Sequence, residues 1–143
     1  MMGTLIALAM GSATDSSSGC INSFAAVHEI HVTAILERDL DAYRATLGNY
    51  DGKMMILPDG NVWDTTAEVV EGHVQWFADS SWTFDHRLVH TLASDSFGLA
   101  VHEVRVNRPE QPGEPFLLSM LFAPDTTGCW TLIHDQNTPL AEQ

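Results

Sequence analysis

An aspartate near the end of the chain has the type and spacing that acid/base chemistry requires. A two-residue period along the extended segment 129–138 places Thr131, Ile133, Asp135 and Asn137 on one face. In an apolar cavity the charged form of Asp135 would be disfavoured by desolvation, and a carboxylate becomes a usable acid or base near neutral pH in this way. The alternative is structural, because short polar side chains near strand ends also hydrogen-bond the backbone. Asp135 is the first catalytic candidate.

Two histidines are further candidates. His31, in the first predicted helix, could donate to a developing oxyanion or relay a proton, since imidazole titrates in the useful range. His102 lies in the middle of a predicted strand and could act as a base with Asp135 as its orienting partner, if the two face one cavity. For each of them the alternative is an ordinary hydrogen-bonded histidine of the helix or the sheet.

The seven histidines do not form a recognisable metal motif. His28 and His31 are one helical turn apart, but the segment between them does not continue as H-E-x-x-H. His86 and His90 would lie roughly 13 Å apart along a strand at ~3.3 Å per residue, which is too far to share one ion. We therefore expect no bound metal and no cofactor.

The overall composition is that of one domain with a real core. The chain has 143 residues, 45% of them hydrophobic and 17% charged, and a formal net charge of −13. This charge repels nucleic acid and anionic membranes, and no apolar run approaches the ~20 residues that span a bilayer. Cys20 and Cys129 are too few to indicate a disulfide framework, so core packing is expected to hold the fold together.

The first 20 residues differ from the rest of the chain. Thr4–Met10 is apolar, and a Ser/Thr/Gly-rich stretch leads from it to Cys20, which is faintly typical of an export signal or a lipoprotein cleavage site. The positively charged start of such signals is missing. We interpret residues 1–20 as an N-terminal extension and residues 21–143 as the domain, and the sequence favours a cytoplasmic location over export without deciding it.

Hydrophobic periodicity predicts three helices followed by strands. Apolar residues recur at three and four over 21–36, a capping Asp39 precedes helical spacing to Leu47, and Thr65 or Thr66 caps a helix that continues to about Ala78. A strand, a turn and a short strand are predicted around residues 53–63. Four longer strands over 82–93, 97–107, 115–123 and 129–138 should form an antiparallel meander. The expected fold class is α+β, with a curved sheet wrapped around the helices and a cavity left between them.

One strand of the meander is apolar on both faces. Leu117, Leu118, Met120, Leu121 and Phe122 follow one another almost without interruption. A strand of this kind is buried on both sides, so the face that points away from the helices needs a cover. We predict a homodimer that forms through the sheet.

Three segments follow one another along the chain: Asp39-Leu40-Asp41-Ala42-Tyr43, then Pro58-Asp59-Gly60, then the last strand, Trp130-Thr131-Leu132-Ile133-His134-Asp135-Gln136-Asn137-Thr138-Pro139. In this order they resemble the SnoaL-like family of the nuclear transport factor 2-like superfamily. The resemblance covers residues 26–140 and implies a cone-shaped, cystatin-like sheet around three N-terminal helices. It also implies that the face carrying Asp135 looks into the pocket.

The superfamily contains isomerases, dehydratases, epoxide hydrolases and polyketide cyclases, and also modules without catalysis, so the resemblance does not select a reaction. Placing Pro58 on the corresponding proline of ketosteroid isomerase puts Leu57 where that enzyme has its general base, and an aliphatic side chain cannot accept a proton. The same alignment puts His31 where the isomerase has an oxyanion tyrosine.

Two functional hypotheses follow. In the first, the chain is a cofactor-independent acid/base enzyme for a small apolar substrate, in which Asp135 and His102 move protons while His31 and Asn137 polarise an oxygen. In the second, it is a non-catalytic dimeric module that binds a hydrophobic ligand or takes part in assembly. In both, the expected pocket contacts are Asn137, Trp63, Trp76, Met55 and Tyr43.

Overall fold

Three helices precede most of the sheet in the computed structural model, which describes residues 19–49 and 51–141. Helix α1 spans Phe24–Glu37, α2 spans Leu40–Leu47 and α3 spans Thr66–Ala78. Each begins at a residue whose side chain accepts a hydrogen bond from the first turn, namely Ser23, Asp39 and Thr65. Helix α1 starts three residues later than the periodicity predicted, because Ser23 caps it there and Ile21 belongs to the preceding extended segment.

The strands form one six-stranded mixed sheet. In chain order they are β1 (Met54–Ile56), β2 (Val62–Trp63), β3 (Thr83–Ala93), β4 (Gly98–Asn107), β5 (Phe116–Pro124) and β6 (Trp130–Pro139). Their order across the sheet is β2-β1-β6-β5-β4-β3, with β1 parallel to β6 and all other neighbours antiparallel. The α+β architecture and the antiparallel meander of the last four strands are confirmed.

The core lies between the helices and one face of the sheet, called here the inner face. Alternate residues of β4 and β5 are buried on this face, and the same alternation leaves the other face partly accessible. The buried core is formed mainly by Val27, Ile35, Tyr43, Leu47, Met55, Val69, Phe77, Trp82, Ala100, Val104, Met120, Phe122 and Leu132. Among the described residues no helix is long and apolar enough to cross a membrane.

A bulge changes the face assignment along the last strand. Met120 pairs with Asp135 and Leu121 with His134, but Phe122 then pairs with Leu132, so Ile133 is the additional residue. Leu132 therefore shares the inner face with Asp135, whereas the strict two-residue period had placed it on the opposite face. The prediction that Asp135 and Asn137 share a face holds, because both follow Ile133 in the sequence and pair in regular register with Met120 and Leu118. A second bulge, at Val89, puts His86 and His90 on opposite faces of β3. A regular strand would place residues four apart on the same face.

A disulfide joins the two cysteines, and the expectation that core packing alone holds the fold was wrong. Cys20 and Cys129 are bonded across a sequence separation of 109 residues. Next to this bond the Trp130 amide donates to the Ile21 carbonyl over 2.7 Å, so the segment before α1 is also fixed to the start of β6. Counting cysteines could not reveal this, since pairing depends on which ends of the chain the fold brings together. Most of the predicted extension, residues 1–18, lies outside the described residues.

Candidate active site

A cavity of about 490 Å³ lies between the inner face of the sheet and the three helices. Most of its wall is aromatic or aliphatic, and it reaches solvent beside the exposed Pro58 and Glu114. The residues that line it are Ile35, Tyr43, Met55, Leu57, Pro58, Trp63, Gly72, His73, Trp76, Phe84, Val106, Glu114, Phe116, Leu118, Asp135 and Asn137. A space of this size and character suits a small organic molecule.

Asp135 is the buried acid of this cavity. It lies on the inner face of β6 between Met55 of β1 and Met120 of β5, and only 4% of its surface is accessible. Burial raises the pKa of Asp135 to about 7, and the hydrogen bond from Asn137 opposes this shift in part. At neutral pH the carboxyl group therefore exists in both protonation states, as a group that gives and takes protons should.

Asn137 holds this carboxyl group in place. Its Nδ2 donates to Asp135 Oδ1 over 3.0 Å and to the Ile56 carbonyl over 2.8 Å. One amide group thus orients the acid and joins β6 to the neighbouring β1. Because both bonds use Nδ2, Oδ1 of Asn137 is an acceptor on a side chain that lines the cavity.

Tyr43 brings the one hydroxyl group of the cavity lining. Helix α2 places the side chain so that it is fully buried, and its hydroxyl oxygen has no hydrogen-bond partner among the described residues. Burial, and then the negative charge of Asp135, raise the pKa of Tyr43, so the hydroxyl group stays protonated at neutral pH. A buried hydroxyl group without a partner is unfavourable.

His73 belongs to the site and was missed by the sequence analysis. Its ring stacks on Tyr43 with centroids 4.1 Å apart, and its Nδ1 donates to the Val69 carbonyl over 2.8 Å. That bond fixes the tautomer and leaves Nε2 as an acceptor. Burial lowers the pKa of His73 to about 4, although the bond to Val69 opposes this, so the ring is neutral at pH 7. The available signal was its position four residues after Val69 and four before Phe77, on the buried face of α3.

His31 lies behind the cavity wall, so it does not occupy the oxyanion position that the resemblance implied. It is completely buried, packs against Tyr43, and is not part of the lining. Thr46 Oγ1 gives its proton to the Tyr43 carbonyl, so His31 Nδ1 must donate to Thr46 over 2.7 Å. Burial lowers the pKa of His31 to about 3, with nearby histidines as smaller causes. The neutral ring supports the helix pair that carries Tyr43.

His102 is not brought together with Asp135 either. It lies on the inner face of β4 outside the cavity lining, and both of its ring nitrogens contact other histidines. Its Nε2 is 2.8 Å from His28 Nε2, and its Nδ1 is 3.1 Å from His86 Nδ1. Burial, followed by the two neighbouring imidazoles, lowers the pKa of His102 to about 4. No group of three or more His, Cys, Asp or Glu side chains suited to a metal ion is found among residues 19–49 and 51–141.

The structure brings the predicted binding residues together. Trp63, Trp76, Met55, Tyr43 and Asn137 all line the cavity. Close packing fixes the position of Trp63, since a Cβ atom on Gly72 of α3 would lie 2.1 Å from the indole ring. Leu57 and Pro58 also contribute to the lining.

Comparison with solved structures identifies the fold. A protein from Thiobacillus denitrificans, assigned as a calcium/calmodulin-dependent protein kinase type II association domain, is 16% identical with a TM-score of 0.73, over 85% of this chain and 98% of that one. A nuclear transport factor 2-like protein of unknown function from Shewanella oneidensis is 13% identical with a TM-score of 0.65, over 87% and 99%. An epoxide hydrolase of M. tuberculosis is 12% identical with a TM-score of 0.61, over 80% of each chain.

The chain therefore has the nuclear transport factor 2-like, cystatin-like fold, as the resemblance implied. No family model matches the sequence, and a search of curated proteins finds no match. At these identities the similarity establishes the fold and not the activity, because related structures of this fold include both enzymes and an association domain.

Proposed function

We propose that the chain is a small-molecule enzyme that binds an apolar molecule in the cavity and exchanges a proton with it through Asp135. The observation that carries the proposal is the burial of one carboxyl group, with its pKa raised to about 7, in an otherwise apolar cavity that reaches solvent. Asn137 orients that group, and the aromatic wall holds the substrate against it. Isomerisation, dehydration, cyclisation and epoxide opening are the reaction types that such a group can serve.

His102 and His31 have no direct part in this proposal. Asp135 is the one group that exchanges a proton in this proposal, and the Tyr43 hydroxyl group interacts with it electrostatically. His73 is neutral and lies beside Tyr43, so its Nε2 can accept a hydrogen bond from a substrate hydroxyl group or amine. The sequence hypothesis paired Asp135 with His102. The present proposal keeps Asp135 and removes His102.

A screen of purified protein for ligands tests the proposal. Thermal unfolding is measured against aromatic, terpenoid and polyketide-like compounds, and each stabilising mixture is then analysed by mass spectrometry for conversion. We expect at least one compound to be both bound and converted, and Asp135→Asn to lose conversion while binding persists. Asp95→Asn, in an exposed turn, makes the same change of charge and serves as the control. Equal conversion by Asp135→Asn would refute the role of the carboxyl group.

The second candidate is a dimeric binding module, and the outer face of the sheet favours dimer formation. Leu92, Leu99, Leu121 and His134 pair in succession across β3, β4, β5 and β6 and form a row without Asp, Glu, Lys or Arg on this face. In a chain of net charge −13, a patch without acidic side chains is a surface on which two copies can approach with less repulsion than elsewhere. Leu121→Glu should convert a dimer to a monomer in sedimentation velocity, whereas Leu36→Glu on the exposed side of α1 should not.

The disulfide is an argument about the compartment in which the protein functions. Such bonds persist in oxidising compartments and are rare in the cytosol, so we propose that the protein is exported, in place of the cytoplasmic location favoured by the sequence. Mass spectrometry of the protein alkylated without prior reduction, after isolation from its own cells, tests this. Two alkylated cysteines would argue against export.

A further inference from the structure

We propose that the molecule bound in the cavity is an organic cation, an amine or quaternary ammonium group on an aromatic or other apolar body, with the cationic group paired to Asp135. This inference deepens the proposed function, since it concerns the same cavity. It goes further in assigning a charge to the ligand, which neither the fold nor the acid/base role requires.

The first argument is the imbalance of charge in the cavity. Asp135 and Glu114 are its two acidic groups, and none of the described lining residues is Lys or Arg. The one hydrogen bond to the Asp135 carboxyl group comes from a neutral amide. A carboxylate buried without a cation is unfavourable, and a ligand that carries a positive charge supplies what the protein omits.

The second argument is that the cavity contains several hydrogen-bond acceptors that an ammonium group can use. The fixed tautomer of His73 leaves Nε2 as an acceptor, and the two bonds of Asn137 leave Oδ1 as an acceptor. Together with the Asp135 carboxylate, these groups can receive the N–H bonds of an ammonium group. The other donors of the lining side chains are the Tyr43 hydroxyl group, which can also accept, and the indole N–H groups of Trp63 and Trp76.

The third argument is the aromatic wall. Trp63, Trp76, Phe84 and Phe116 line the cavity with Tyr43, and the rings of Trp76 and Phe84 meet edge to face with centroids 6.3 Å apart. Faces of aromatic rings attract cations through the ring quadrupole, and the attraction is strongest where water is excluded. An aromatic enclosure that contains a buried carboxylate has the two elements that recognise ammonium groups.

Three probes with the same ring separate charge from hydrophobic contact. Tryptamine is a cation at neutral pH, tryptophol is neutral, and indole-3-acetate is an anion. Isothermal titration calorimetry at pH 8 measures all three on the wild type and on Asp135→Asn. We expect tryptamine to bind at least about tenfold more tightly than tryptophol, and indole-3-acetate to bind most weakly. In Asp135→Asn the preference for tryptamine should disappear while tryptophol still binds.

The pH dependence of tryptamine binding is a second measurement, and a purely hydrophobic pocket would not show such a dependence. With a pKa of about 7, Asp135 is mostly ionised at pH 8 and mostly protonated at pH 6, so tryptamine affinity should fall about tenfold between these values. At pH 7 its binding should release on the order of half a proton, measured in buffers of different ionisation enthalpy. The groups that face Asp135 are Tyr43, protonated throughout, and Asn137. His73, near Tyr43, is neutral over this range.

The outcomes are distinguishable. If tryptophol binds as tightly as tryptamine at pH 8, or if Asp135→Asn keeps the preference for tryptamine, the inference of a cationic ligand is wrong and the proposed binding of apolar molecules stands. If none of the three probes binds, both the inference and the proposed function are contradicted, because the cavity would not accept even one indole ring.

Discussion

Replacing Asp135 with Asn should make the protein more stable at high pH and not at low pH. The carboxyl group has a pKa of about 7 in the folded protein against 3.8 in the unfolded chain, so folding takes up a proton between these two values. Stability contributed by this group is complete below pH 3.8 and is lost as the pH rises through 7. The free energy of unfolding is therefore lower by about 4 kcal/mol at pH 8 and by about 2 kcal/mol at pH 5.5 than it would be below pH 3.8, at 1.36 kcal/mol per pKa unit.

The amide of Asn at this position carries no charge, and its oxygen can still accept the bond from Asn137. The variant therefore avoids the loss, apart from about 1 kcal/mol for amide hydrogens left without partners. Urea unfolding, followed by tryptophan fluorescence at pH 4, 5.5 and 8, measures the difference between the variant and the wild type. Asp95→Asn, in an exposed turn, controls for the change in net charge.

The difference between the two proteins is the informative quantity, because the buried histidines titrate equally in both and cancel. We expect the variant to gain about 4 kcal/mol relative to the wild type between pH 4 and pH 8, because the cost of the amide hydrogens is the same at both values. A difference that stays constant with pH would mean that Asp135 is ionised in the folded protein at all these values. The reasoning for its role as a proton-exchanging group would then fail.

Three more predictions concern stability. Reducing the Cys20–Cys129 disulfide, which closes a loop of 109 residues, should lower the free energy of unfolding by up to about 4.7 kcal/mol, measured by urea unfolding with and without reductant. Acidification should destabilise the protein between pH 6.5 and about 4, because burial lowers the pKa values of His31, His73 and His102. The unfolded chain therefore takes up these three protons first, which outweighs the one proton that Asp135 takes up in the folded protein; a denaturation midpoint that is constant over this range would contradict it. Tyr43→Phe removes a buried hydroxyl group without a partner and should leave stability equal or higher by about 1 kcal/mol, and a marked loss would reveal a partner.

Patterns local to one element predicted the fold well. The spacing of apolar residues and the capping side chains fixed the three helices, and turn-forming residues separated the four long strands at their observed places. The face shared by Asp135 and Asn137 followed from the strand period. The bulge at Ile133 did not, because a bulge is decided by pairing with a neighbouring strand.

The sequence predicted those cavity residues that could be recognised from their own strand or helix. It did not predict contacts that depend on how two elements pack against each other. A carboxyl group on an apolar strand was visible in the sequence, as were the aromatic residues of the wall. The pairing of His102 with Asp135 required knowledge of β4 relative to β6, and β4 instead places His102 between His28 and His86. His73 could not be identified from its own helix, because its place in the site comes from stacking on Tyr43 of α2, and that contact depends on how the two helices pack.

The disulfide also makes the described domain almost a closed ring. A peptide bond broken at one point between Cys20 and Cys129, for instance in the exposed turn Ser94-Asp95-Ser96, would leave two fragments still joined covalently. The fragments could not diffuse apart, so a nicked molecule would keep its strands within reach of one another. Such tethering is an advantage in an environment that contains proteases, and the bond provides it without any change in the residues that line the cavity.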